Sequence, residues 1–177
     1  MDVIRLHDLN FRTYIPSETI RQRIREMAAK LNHDLKHEKP LFIGILNGVF
    51  VFASELMQEL TIECEITFVK LSSYNGTSST GAVKKIIGLN NDLRGRNVVI
   101  LEDIIDTGNT VKEFLQHLKT LHPESIRVAT LLFKPDALEN DLEINYIGFK
   151  VPNEFLVGFG LDYDGLGRNL RDIYVRI

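Results

Sequence analysis

"VVILEDIIDTGNT" occupies residues 98–110. Four apolar residues run into Glu102 and Asp103; Ile104 and Ile105 follow, then Asp106, then Thr107, Gly108, Asn109 and Thr110. A short unbroken apolar run is how a strand covered on both faces reads. Just beyond it, Val111, Phe114, Leu115 and Leu118 recur at the i, i+3, i+4, i+7 spacing of an amphipathic helix. The stretch predicts a strand with Glu102 and Asp103 at its carboxyl end, a loop over 106–110, and a helix. Strand, loop and helix in succession build parallel sheets, whose ligands sit beyond the carboxyl ends of the strands.

The same alternation extends both ways. Ser17 is a plausible N-cap for a helix along which Ile20, Ile24, Met27, Leu31 and Leu35 recur. "PLFIGIL" (40–46) is a buried strand closed by Asn47-Gly48, and a helix over 49–60 should follow. "EITFVKLSS" (65–73), "NVVILED" (97–103) and "SIRVATLLF" (125–133) read as strands, and "NYIGFKV", "EFLVGF" and "DIYVRI" as short closing strands. The first 40 residues read as one strand and one helix. The predicted class is α/β: a mostly parallel central sheet flanked by helices. "YNGTSSTGAVKK" (74–85) has no period and is rich in Gly, Ser and Thr, which predicts an exposed, mobile loop, either a plain hairpin connection or, given its length, a lid or binding loop.

Composition narrows the function classes. The 177 residues suit one compact domain over 1–177. Net charge is -3 at pH 7, against the basic face that nucleic acid requires. Cys64 stands alone, which excludes an intrachain disulfide and a Cys/His zinc cluster. No apolar run approaches the roughly 20 residues that span a bilayer, and "MDVIRLHDLN" does not read as a signal peptide. A cytoplasmic protein with neither membrane nor nucleic-acid partner is expected.

The chemistry of 102–110 follows from its parts. A helix start offers free N–H groups and a partial positive charge, Gly108 lets backbone approach closely, and Thr107 and Thr110 add hydroxyls. Together they predict a phosphate cradle. Glu102 and Asp103 would repel a phosphate placed directly on them and suit sugar hydroxyls or magnesium, which takes one or two carboxylates plus substrate phosphates. Asp106 lies between and could serve as a base. Asp-Thr-Gly also occurs in aspartic proteases, but those need a β-rich fold with paired loops. The phosphate-loop pattern G-x-x-x-x-G-K-[ST] is absent. A merely capped helix with solvated acids would explain any one of these acids, but not two acids, a third three residues on, and the Thr-Gly-x-Thr cap together.

At these residues the chain resembles the type I phosphoribosyltransferases, whose signature is an apolar strand ending in two acids and a loop of the Asp-Thr-Gly-x-Thr kind. "LNGVFVF", "SSYNGTSSTG" and "PNEFLVGFGLDYDGLGRNL" extend the resemblance, in order, to the hypoxanthine-guanine phosphoribosyltransferases. It implies that family's fold, with a small hood formed by the chain ends and a mobile active-site loop. It also implies purine salvage: phosphoribosyl passes from 5-phosphoribosyl-1-pyrophosphate to hypoxanthine or guanine, with Mg2+. A homo-oligomer, dimer or tetramer, is implied too. Carried over by position, Asp106 is the base at purine N7. Asp106, Thr107, Gly108, Asn109 and Thr110 hold the 5′-phosphate. Glu102 and Asp103 hold ribose and, with Asp162, the metal. Asn47, Gly48, Ser73, Tyr74 and Arg168 meet pyrophosphate. Phe155 stacks on the purine, and Leu156 meets it through the backbone. Read alone, Phe155 is a core aromatic and Asp162 and Arg168 are surface groups.

Two positions depart from the family pattern. Many relatives carry lysine where this chain has Asn47. Alignment on "NYIGF" puts Glu143 where a lysine commonly donates to the purine 6-oxygen, and an ionised carboxylate cannot donate. Either Lys134 serves, or the register across "PDALENDLEIN" is shifted. Two other functions compete: a phosphoribosyl-pyrophosphate-sensing regulator that binds nucleic acid, which the acidic balance disfavours, and a transferase for xanthine, adenine or a pyrimidine. The segment around Phe155 favours a 6-oxopurine.

Overall fold

Leu41–Leu46, strand β3, is the spine of a six-stranded sheet. The computed structural model describes residues 3–72 and 85–177, with only the backbone of Ser72 and Lys85. Ser73, Tyr74 and the predicted loop up to residue 84 lie outside the described residues. In chain order the elements are β1 (Val3–Leu6), β2 (Leu9–Ile15), α1 (Ser17–Asp34), β3, α2 (Phe50–Glu59), β4 (Glu65–Ser72) and β5 (Lys85–Ile87). Then come β6 (Asn97–Ile105), α3 (Asn109–Lys119), β7 (Ser125–Phe133), β8 (Tyr146–Lys150), β9 (Leu156–Val157) and β10 (Ile173–Arg176).

The large sheet has the order β5-β4-β3-β6-β7-β8 and is parallel except for β5. Its strands read as continuous apolar runs because both faces are covered. Phe42, Val99 and Leu101 pack with Ile20, Ile24 and Leu31 of α1 and with Phe52 and Leu56 of α2. The alternating residues Leu41, Ile43, Val98 and Ile100 pack with Phe114 and Leu118 of α3 on the other face. Each such side chain contributes about 1.5–3 kcal/mol on burial. The chain ends meet in a second, antiparallel sheet of order β1-β2-β10-β9, the hood, with Phe11, Val157 and Tyr174 as its core.

Several sequence expectations need correction. The first 40 residues hold two strands and a helix, because Leu6 and Leu9 pair across a tight turn in which His7 takes φ 49°. Ser17 is the first residue of α1 rather than its cap; Pro16 holds the N-cap position. The side chain that satisfies the Ser17 N–H is Asp172, whose Oδ1 accepts at 2.7 Å. The strand expected over "EFLVGF" is only Leu156–Val157, since Gly158 and Phe159 take positive φ and turn the chain. The short β5 was not expected.

Edge strand β8 is tied to α1 by Tyr146, whose hydroxyl donates to Asp34 Oδ2 at 3.0 Å. Burial, then this hydrogen bond, pushes the phenol up to about 12. A phenol raised in the fold favours the native state fully below its ordinary value near 10, and that contribution is lost as pH rises through 12. Tyr146→Phe should therefore be about 1 kcal/mol less stable at pH 7. The gap between the two proteins should close between pH 10 and 12. Urea unfolding midpoints across that range check this; a gap independent of pH would refute it.

Candidate active site

Strand β6 runs to Ile105, so Glu102 and Asp103 lie within it rather than at its end, and the loop to α3 is only Asp106, Thr107 and Gly108. Asn109 and Thr110, expected in the loop, form the first turn of α3. Gly108 is the N-cap at φ 78°, a left-handed conformation that suits glycine, and no side chain caps the helix. The first N–H groups of α3 thus have no side chain of the cap residue on them, and the Asn109 N–H meets only the long 3.4 Å contact of Thr107 Oγ1, which leaves them open to an anion.

Parallel pairing explains the next feature. Ile105 of β6 is in register with Phe133 of β7, so the residues that follow, Asp106 and Lys134, leave the sheet side by side. Lys134 Nζ lies 3.1 Å from Asp106 Oδ2. Lys134 is buried, its side chain 9% exposed, while Asp106 is half exposed. Glu143 instead lies on the surface, its Oε1 accepting from Asn145 Nδ2 at 3.0 Å. Of the two explanations for the missing lysine, the geometry favours Lys134.

Asn47 and Gly48 join β3 to α2, the Leu46–Asn47 peptide being cis. A Cβ on Gly48 would collide with the Asp103 carboxylate, and one on Gly160 with the Gly48 carbonyl. Glycine is required at 48 because backbone and carboxylate are in direct contact there. Arg168 sits behind this floor, with Nη2 2.6 Å from Asp162 Oδ1 and Nη1 donating to the Gly160 carbonyl at 2.8 Å. The other Asp162 oxygen accepts from the Gly165 N–H at 2.8 Å. Phe155 is 41% exposed, held at one side by Phe11 and edge-on by Tyr163. The Tyr163 hydroxyl donates to Asp8 in the hood at 2.7 Å.

These groups open on one cavity of about 380 Å³. Of the expected site residues, Asn47, Gly48, Glu102, Asp103, Asp106, Lys134, Phe155, Leu156, Asp162 and Arg168 line it. Thr107, Gly108, Asn109 and Thr110 do not; they lie past Asp106 where α3 begins. The Asn109 side chain is turned away, with Nδ2 donating to Glu139 Oε2 at 2.8 Å and Oδ1 accepting from Asn140 Nδ2 at 2.9 Å. Sequence reasoning missed Glu139 and Asn140 entirely, because no local pattern marks contacts across 30 positions.

Electrostatically the floor is strained by its own acids. Burial, aided by the neighbouring Asp103 charge, holds the Glu102 carboxyl well above the usual range, and Glu102 Oε2 is buried with no hydrogen-bond partner among the described residues. Burial pushes Asp103 up to about 6, against the opposing pull of the Ile104 N–H. Buried carboxylates without a positive partner are costly, and a cation or a set of hydroxyl donors would relieve them. Among the described residues no three carboxylate, histidine or cysteine groups cluster as a ready metal cage.

The chain matches the phosphoribosyl transferase domain over residues 14–164. The chain belongs to this family. Phosphoribosyltransferases similar to it include the hypoxanthine-guanine phosphoribosyltransferase of Streptococcus mutans, 42% identical over 154 residues, 86% of either chain. The bifunctional protein TilS/HprT of Listeria monocytogenes is 38% identical, matching 93% of this chain but only 26% of that longer protein. Among solved structures, a hypoxanthine-guanine phosphoribosyltransferase from Bacillus anthracis superposes with a TM-score of 0.84 at 34% identity, covering 94% of this chain and 96% of that one. The type I phosphoribosyltransferase fold expected from 98–110 is thus the fold observed, hood included. No helix among the described residues is long and apolar enough to cross a membrane.

Proposed function

We propose that the chain is a 6-oxopurine phosphoribosyltransferase of purine salvage, converting 5-phosphoribosyl-1-pyrophosphate and hypoxanthine or guanine to the nucleoside 5′-monophosphate and pyrophosphate. One observation carries this reading: two buried acids, an Asp–Lys pair, an exposed aromatic and an Arg-backed glycine loop all line a single cavity beside a helix start. The likeness to proteins named hypoxanthine-guanine phosphoribosyltransferase supports it.

In this reading the purine attacks C1′, the bond to pyrophosphate breaks, and the N7 proton passes to Asp106. Positive charge develops on the ribose ring, and Glu102 and Asp103 hold its hydroxyls and stabilise that charge. Backbone N–H groups at Asn47 and Gly48, with Arg168 nearby, receive the leaving pyrophosphate. The N–H groups of 107–110 keep the 5′-phosphate fixed. The unpartnered Glu102 oxygen and the raised Asp103 fit Mg2+ as part of the same proposal, with Asp162 as a further carboxylate. Bound magnesium would neutralise the pyrophosphate and its developing charge. A cytoplasmic location and an assembly of two or four copies complete the proposal.

The test is pyrophosphate release with phosphoribosyl pyrophosphate and hypoxanthine, with and without a chelator. Release is expected, lost with the chelator and restored by added magnesium. No release with any free base would overturn the reading, and release indifferent to chelation would remove the metal from it. Stacking on Phe155 gives a further expectation. Base–aromatic stacking is worth about 1–3 kcal/mol, so Phe155→Ala should raise KM for hypoxanthine roughly 5- to 150-fold and leave KM for phosphoribosyl pyrophosphate near its parent value. Equal shifts in the two constants would count against Phe155 as the stacking face.

A further inference from the structure

We infer that Asn140, in the connection between β7 and β8, is a positioning residue for the 5′-phosphate loop. Its amide is fully engaged: Nδ2 donates to the Thr107 carbonyl at 3.0 Å and to Asn109 Oδ1 at 2.9 Å, while Oδ1 accepts from the Leu142 N–H at 3.1 Å. The Glu139 N–H donates to the same Thr107 carbonyl at 3.1 Å. From behind, Leu138 and Asn140 press on Gly108 closely enough that an added Cβ would meet Leu138 Cδ1 at 2.7 Å.

The consequence is directional. In a trans peptide the C=O and the following N–H point opposite ways. Two donors pin the Thr107 carbonyl toward the 138–140 segment, so the Gly108 N–H is turned to the side opposite that segment. Asn140 also holds the Asn109 amide oxygen, which is thereby kept from accepting from the helix-start N–H groups in place of an anion. The loop is itself short, and the side-chain bond within it, from the Asn109 N–H to Thr107 Oγ1, is long at 3.4 Å. The orientation of the cradle is therefore held from outside, by a segment 30 or more positions along the chain.

The inference rests on the phosphoribosyltransferase reading, and the experiment separates the two. Steady-state constants would be measured for the parent, Asn140→Ala and Asn140→Asp, with the inhibition constant of the nucleoside 5′-monophosphate product and the thermal midpoint. The Asp variant keeps the shape and the acceptor for Leu142 but cannot donate to Thr107. Both variants should raise KM for phosphoribosyl pyrophosphate and weaken the monophosphate about tenfold, since small misplacements of a binding group are costly. KM for hypoxanthine and kcat at saturation should stay within about twofold. An unchanged monophosphate constant in both variants would overturn the positioning role. So would an Asp variant that behaves as the parent, or losses spread evenly over all constants and the thermal midpoint, which would make Asn140 structural only. A parent without turnover would instead sink the reading on which the inference rests.

Discussion

Adenine should turn over about 10⁴-fold more slowly than hypoxanthine when both are offered at fixed phosphoribosyl pyrophosphate. The reason lies in the Asp106–Lys134 pair. On a 6-oxopurine, N7 and O6 lie side by side on one edge. Asp106 and Lys134 also lie side by side, 3.1 Å apart, because they follow paired residues of adjacent parallel strands. Lysine has three donors and no acceptor, so it can serve O6 but not the 6-amino group that adenine presents there. Lys134 is buried, and adenine would set its 6-amino donor against that ammonium, where Lys134 offers it no acceptor. Stacking on Phe155 cannot add to the discrimination, since all purines share a π-face. Lys134→Ala should lower kcat/KM for hypoxanthine and guanine together, with little change in KM for phosphoribosyl pyrophosphate. Initial rates with hypoxanthine, guanine, xanthine and adenine decide the matter. Adenine used as well as hypoxanthine would discard the specificity while leaving phosphoribosyl transfer standing.

Asp106→Asn should lower kcat by about 10²–10⁴-fold, the usual worth of a positioned general base. Asparagine keeps the size of the side chain and an oxygen for Lys134, so the geometry of the pair survives and the basic oxygen does not. Asp106 is the first residue of the loop to α3 and its side chain caps nothing in that helix, so KM for phosphoribosyl pyrophosphate should hold within a few fold. Single-turnover rates would separate the chemical step from product release. An Asn variant as fast as the parent in single turnover would take Asp106 out of proton transfer.

What could be read beforehand divides along physical lines. The large sheet and its helices were legible because each strand is covered on both faces and each helix on one, so the patterns of 98–101, 125–133 and 111–118 are strong. The acids and the Thr-Gly turn were legible because they are contiguous. The N-terminal hairpin was not, because its turn, Leu6-His7-Asp8-Leu9, contains no glycine or asparagine and relies on His7 at positive φ. The cap of α1 was not, because Asp172 comes from the other end of the chain. The sequence offered Lys134 against a shifted register across 135–145, and the pairing of Ile105 with Phe133, which brings Lys134 beside Asp106, is not legible in a local pattern. Asn140 was invisible for the same reason: its partners are brought to it by the sheet.

The hood joins the first and last parts of the chain, with β10 hydrogen-bonded between β2 and β9. β1 and β2 are made before β10, so β2 must wait for Ile173–Arg176 before its open edge is covered. The six-stranded sheet is complete once Lys150 has emerged, so the half that carries Glu102, Asp103 and Asp106 can assemble on the nascent chain. Phe155 gains the support of Phe11 and the hood only at the end. A polypeptide stalled before β10 would hold the floor of Glu102 and Asp103 beneath a Phe155 that the hood does not yet support, and would carry an unpaired strand edge until β10 is made.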